Sequence, residues 1–147
     1  MTSKSEETVT GACFCGNVQF EISLPTLFCG HCHCSMCRQP HGASYVTWVG
    51  LHPSQLRITA GESELKIFKS SEQGRRQFCS HCGSQLFCWH EDADGSSKLI
   101  DVTLASLNGP IDRLPEAHYY YDSRAEWTEI SDDLPKLGGP TGIEPLA

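Results

Sequence analysis

The sequence predicts an all-β fold of several short strands in more than one small sheet. Three observations carry that expectation: apolar residues recur with period two or in short runs, turn residues separate the runs, and no long amphipathic helical pattern is present. In order, the runs are VQFEI (18–22), SYVTWV (44–49), LRIT (56–59), ELKIF (64–68), SQLFCW (84–89), KLIDVTL (98–104) and AHYYY (117–121). Turns are expected at Ala60-Gly61-Glu62, Gly74, Asp94-Gly95 and Asn108-Gly109-Pro110, where glycine, asparagine, aspartate and proline gather. Only 34–38 and 53–56 read as single helical turns.

A chain of 147 residues suits one folding unit. The expected organisation is a disordered arm over 1–10, one domain over 11–136, and a flexible Gly- and Pro-rich tail over 137–147. Apolar residues make up about 45% when glycine is counted and tyrosine is not, which excludes the disordered and membrane classes. The net charge of -7 argues against nucleic acid and anionic lipid surfaces as partners. No stretch of signal-peptide or membrane-span length is present, so a reducing, cytoplasmic setting is expected. There, cysteines serve as metal ligands or catalytic groups more often than as disulfides. Nine cysteines, an odd number, also exclude a fully paired disulfide framework.

Their spacing is the informative part. Cys13 and Cys15 form C-x-C before Gly16, and Cys79 and Cys82 form C-x-x-C before Gly83. Each pair supplies one edge of a tetrahedron, and the following glycine lets the backbone turn tightly around a metal. Together they make a closed four-thiolate zinc site, which would compensate for a core thinned by committed cysteines. Rubredoxin-like iron, or a redox C-x-x-C pair, leaves the matching Cys13/Cys15 half less well explained. Cys32, Cys34 and Cys37 form C-x-C-x-x-C, and three ligands is the count expected when zinc keeps a fourth position for water or substrate. Cys29, His31, His33, His81, Cys88 and His90 are candidates to close that position instead.

Four stretches, GACFCG (11–16), CHCSMCRQPHGA (32–43), FCSHCGSQL (78–86) and WTEISDDLP (127–135), make the chain resemble the glutathione-dependent formaldehyde-activating enzyme family. The resemblance implies an Mss4-like β-tent of small antiparallel sheets organised around zinc, two ions per chain. It implies structural zinc on Cys13, Cys15, Cys79 and Cys82, and catalytic zinc on Cys32, Cys34 and Cys37. The implied reaction is that of a carbon-sulfur lyase, adding glutathione or a related small thiol to formaldehyde or another small aldehyde, or the reverse. Glutathione's carboxylates need cationic donors: Arg38 is the best placed, with Arg75, Arg76 and Lys69 as a second edge. His41 could donate a proton to a developing alkoxide or support a ligand. His33 projects away from the metal if both flanking sulfurs face it, His118 reads as a packing residue, and Trp48, Trp89 and Trp127 as core. Cys88 reads as a buried, inert thiol, and Asp92-x-Asp94-Gly95 as a hairpin turn. If Cys29 closes the second site, the alternative is a non-catalytic Mss4-like module that recognises a protein partner.

Overall fold

The computed structural model describes residues 7–146. In chain order they form β1 (Thr8–Ala12), β2 (Gln19–Ser23), β3 (Phe28–Cys32), α1 (Ser35–His41), β4 (Val46–Leu51), β5 (Leu56–Ala60), β6 (Leu65–Lys69), β7 (Gly74–Cys79), β8 (Gln85–His90), β9 (Ile100–Thr103), β10 (His118–Tyr119), β11 (Leu137–Gly138) and β12 (Glu144–Pro145). The fold is all-β. Within the described residues the chain forms two compact units: 7–27 with Val49–Asp112, and Phe28–Trp48 with 113–146.

In the first unit β2 pairs antiparallel with β1 on one side and β5 on the other. The alternation of VQFEI sends Val18, Phe20 and Ile22 inward, where none is more than 1% exposed. The Phe20 ring meets Phe87 edge to face, centroids 5.0 Å apart, a pairing worth about 0.5–1.5 kcal/mol beyond its burial. Gly11 is required beneath it, because a Cβ there would lie 2.3 Å from the Phe20 ring. β6, β7, β8 and β9 continue as an antiparallel series. β7 (GRRQFC) has too polar a sequence to show a strand period. Antiparallel partners on both sides make it one by satisfying its backbone groups.

The second unit contains β3, α1 and the C-terminal segments. β10 pairs with β3 in parallel, His118 opposite His31 and Tyr119 opposite Cys32. Like β7, β3 (FCGHC) gives no strand signal in sequence. AHYYY was expected to run as a strand over 117–121, but it leaves strand geometry at Tyr120, whose φ is +51°. α1 is two turns rather than one, and Gly42 ends it at φ +59°, its N–H directed at the Arg38 and Gln39 carbonyls. The largest fully buried side chains of this unit are His33 and His118.

Both termini differ from expectation. Thr8, Val9 and Thr10, assigned to a disordered arm, lie in β1, paired with Ser23, Ile22 and Glu21. Leu137 and Gly138, assigned to a flexible tail, pair with Pro145 and Glu144. Residues 1–6 and 147 lie outside the described residues. No described helix is long and apolar enough to cross a membrane.

Candidate functional site

In the first unit two chain reversals face each other. Cys13 and Cys15 follow β1, while Cys79 ends β7 and Cys82 follows it. Gly16 and Gly83 both adopt φ +81°, the left-handed turn that the sequence required of them. Their N–H groups return to the Cys13 and Cys79 carbonyls at 3.1 and 2.8 Å. All four sulfurs lie within 4.8 Å of one another. The Cys13–Cys15 separation is 3.5 Å and Cys15–Cys79 is 3.8 Å. A tetrahedron with Zn–S bonds of about 2.3 Å has an edge of about 3.8 Å, so this donor set fits zinc.

The environment also favours thiolate at two of the four positions. The Ser84 hydroxyl, then the backbone N–H groups of Cys15 and Ser84, push the Cys82 thiol down to about 5. Burial, with a smaller push from Cys82, raises Cys13, but the Val18 N–H, at 3.3 Å from its sulfur, and the sulfurs of Cys15 and Cys79 outweigh this and lower the thiol. The Asn17 backbone favours the Cys15 thiolate, yet burial and the other three sulfurs push that thiol up to about 12. A divalent cation would remove that mutual opposition.

In the second unit Cys32 ends β3, Cys34 precedes α1 and Cys37 lies within it, and these three sulfurs form the second group. Cys32 lies 3.4 Å from Cys34 and 3.5 Å from Cys37, close to the same tetrahedral edge. The sulfurs of Cys34 and Cys37, then burial, raise the Cys32 thiol. Cys34 is favoured by its hydrogen bond with Cys32 but raised more by Cys37 and burial. Three thiols that oppose one another's ionisation are a donor set that a cation would hold as thiolates.

Cys29, the candidate for closing this group, is absent from it. It lies three residues before Cys32 in the same strand, and an odd separation turns the two side chains to opposite faces. Cys88 also lies outside both groups; it is half-buried on β8, its sulfur 3.8 Å from an Asp101 oxygen. His31, also suggested as a closing ligand, instead bonds through Nδ1 to the Thr47 hydroxyl at 2.8 Å.

The remaining candidates sort by position. Arg38 is half-buried beside the trio, its Nε donating to the His33 carbonyl at 3.1 Å and its Nη2 to the Ser123 carbonyl at 3.2 Å. Arg75 belongs to the first unit, where it donates to carbonyls of its own turn and to Glu91 at 3.1 Å. Arg76, in the same unit, is buried at 7% exposure. His41 packs edge to face on Trp48, ring centroids 5.3 Å apart. Trp48 is core as expected, and Trp89 is half-buried. Trp127 is 69% exposed and not core, its indole N–H donating to the Ser44 hydroxyl at 3.0 Å.

Three groups in this unit carry no sequence signal. Burial, then the three sulfurs of Cys32, Cys34 and Cys37, push the Tyr120 phenol up from its ordinary value. Arg124 stacks on the Tyr121 ring at 4.2 Å, with Lys136 at 5.6 Å from the same ring. His118, read as packing, is hydrogen-bonded to His33 and Asp132. His33 itself is lowered to about 4, first by burial, then by His118, His31, Arg124 and Arg38.

The chain is similar to proteins of known sequence and structure. A crystal structure of a Rhodobacter sphaeroides protein superposes with TM-score 0.55 at 25% identity, covering 70% of this chain and 91% of that one. A Halomonas elongata protein named "Putative glutathione-dependent formaldehyde-activating enzyme" is 25% identical over 131 residues, 82% of this chain and 79% of that protein. The family model described as glutathione-dependent formaldehyde-activating enzyme matches residues 8–123, a span that includes all seven clustered cysteines. On that match the chain belongs to the glutathione-dependent formaldehyde-activating enzyme family.

Proposed function

We propose that the protein is a zinc-dependent carbon-sulfur lyase that adds glutathione, or a related small thiol, to formaldehyde or another small aldehyde, and catalyses the reverse. The observation that supports this reading is the group of Cys32, Cys34 and Cys37, which Cys29 does not join: three thiol donors within 4.8 Å of one another among the described residues. Cys13, Cys15, Cys79 and Cys82 hold a structural ion, and Cys32, Cys34 and Cys37 a catalytic one. Zinc bound by the trio would supply Lewis acidity and thiolate stabilisation at neutral pH.

In the forward direction the thiol sulfur attacks the aldehyde carbon, a C–S bond forms, the C=O π pair moves to oxygen, and the thiol proton ends on that oxygen. The chain's own residues bind and orient the reactants. Arg38 has guanidinium N–H groups beyond the two committed to carbonyls. With Arg124, it offers donors for substrate carboxylates in a chain whose overall charge is negative. Tyr120, kept neutral, is an O–H donor suited to the developing alkoxide. His41, whose ring packs on Trp48, is the other candidate donor for that role. The expected surroundings are cytoplasmic.

The test combines metal content with exchange kinetics. Protein purified under reducing conditions is expected to hold two zinc ions, and Cys34→Ser to hold one. Exchange of 13C-formaldehyde with glutathione, followed by NMR, should be faster with the wild-type protein and return to the uncatalysed rate in Cys34→Ser. Arg38→Ala should raise KM for glutathione, and Tyr120→Phe should lower kcat. Two bound zinc ions with no glutathione binding at millimolar concentration would sink the substrate assignment and leave the protein-binding module.

A further inference from the structure

The residue between the first two cysteines of the trio is held through its backbone and its ring. The His33 N–H donates to the Tyr119 carbonyl at 2.9 Å, and the His33 carbonyl accepts from Arg38 Nε at 3.1 Å. His33 Nε2 lies 2.9 Å from His118 Nδ1, and His118 Nε2 lies 3.1 and 2.9 Å from the two Asp132 oxygens. His33 is 0% exposed and His118 1%, while Asp132 is 43% exposed at the surface. The carboxylate is itself fixed: Asp132 Oδ1 accepts from the Leu134 N–H at 3.0 Å, and the His118 N–H donates to the Pro135 carbonyl at 2.9 Å.

The chemistry gives this chain a direction. A carboxylate only accepts, so His118 Nε2 carries the hydrogen; a neutral His118 then presents the Nδ1 lone pair, and His33 Nε2–H donates to it. His33 Nδ1 is left as a lone pair, buried and without a hydrogen-bond partner among the described residues. In extended backbone, neighbouring side chains point to opposite sides. Anchoring the His33 ring on one side therefore turns Cys32 and Cys34 to the other, where their sulfurs stand 3.4 Å apart.

We propose that Asp132 is a positioning residue for the three-cysteine metal group: through His118 it holds the His33 ring, and the held ring keeps the Cys32 and Cys34 sulfurs turned together. The proposal rests on reading the trio as a metal site, not on the reaction assigned to it. It explains why a surface carboxylate far along the sequence is bonded to a fully buried imidazole.

The four-cysteine group in the same chain is an internal control. Zinc release to a chromophoric chelator should be biphasic, and the phase missing in Cys34→Ser belongs to the trio. Asp132→Leu is expected to weaken zinc at the trio about tenfold, the size typical of losing a group that orients a metal ligand, and to leave the other phase unchanged. Asp132→Asn keeps an oxygen acceptor for His118 and should recover most of that loss. Ring 15N NMR should show His33 and His118 as Nε2–H tautomers in wild type, with His118 losing that bias in Asp132→Leu. Equal weakening of both phases, no weakening of either, or a His33 Nδ1–H tautomer in wild type would overturn the proposal. A wild-type protein that binds only one zinc overturns the trio as a metal site first, and this inference with it.

Discussion

Stripping metal from the four-cysteine group should unfold the first unit. The sulfurs of Cys15 and Cys79 are 3.8 Å apart although 64 residues separate them in sequence. Without a cation, two thiolates at 3.5 Å, the Cys13–Cys15 separation, would repel by about 5 kcal/mol at an effective dielectric of 20, so the cluster must take up protons or spread. Structural zinc in small domains contributes roughly 10–16 kcal/mol of apparent free energy, against a net domain stability of about 5–15 kcal/mol. The tie to β1 would be lost first, and β1 flanks the strand that carries Phe20 and Ile22 into the core. Losing even about 5 kcal/mol in a chain of this size lowers Tm by about 15 °C. Circular dichroism melts under reducing conditions, with and without excess chelator, measure this, and mass spectrometry verifies the metal-free state. Cys34→Ser controls for the second group. A fully demetallated protein melting within about 3 °C of the metallated one would refute the reasoning.

Other perturbations follow from single residues. Cys29→Ala should keep both zinc ions and cost only about 1 kcal/mol in urea unfolding, because Cys29 is a buried side chain outside the metal groups; loss of one ion would return Cys29 to the ligand set. Gly61→Ala should cost about 2 kcal/mol or more, since Gly61 has φ +76° and a Cβ would lie 2.0 Å from the Asn17 carbonyl oxygen; unchanged urea stability would contradict this. The Ser96 hydroxyl and then its N–H hold the Asp94 carboxyl below its ordinary value. The stability that this lends is complete above the unfolded carboxylate pKa and disappears as pH falls through the lower folded one. Asp94→Asn should therefore be less stable than wild type at pH 7, with the gap closing on acidification below about pH 3.9. A gap that widens toward acid would reverse the sign.

The partition of the cysteines was legible in sequence because metal knuckles are local. C-x-C-G and C-x-x-C-G need only a tight turn, and Gly16 and Gly83 reach the same φ of +81° in both. Strands with alternating apolar residues, such as β2 and β9, were legible for a similar reason, since their period shows within five or six residues. β7 and β3 were not, because what makes them strands is backbone pairing rather than an apolar period: β7 lies between its sequence neighbours β6 and β8, and β3 pairs with the distant β10.

Cys29 marks the boundary between the two kinds of information. Its spacing from Cys32 was compatible with a fourth ligand, and only the strand geometry of Phe28–Cys32, which turns the two side chains to opposite faces, sets it apart from the three-cysteine group. His118, Asp132 and Tyr120 lie still further from anything spacing can show. By itself, the sequence determined an all-β chain with two groups of cysteines spaced to hold metal ions and the family to which it belongs. Tertiary structure decided which sulfurs gather in the second group and which imidazole, phenol and guanidinium groups belong to the same unit. Coordination depends on which distant side chains are brought to within a few ångströms, and that is a property of the folded chain.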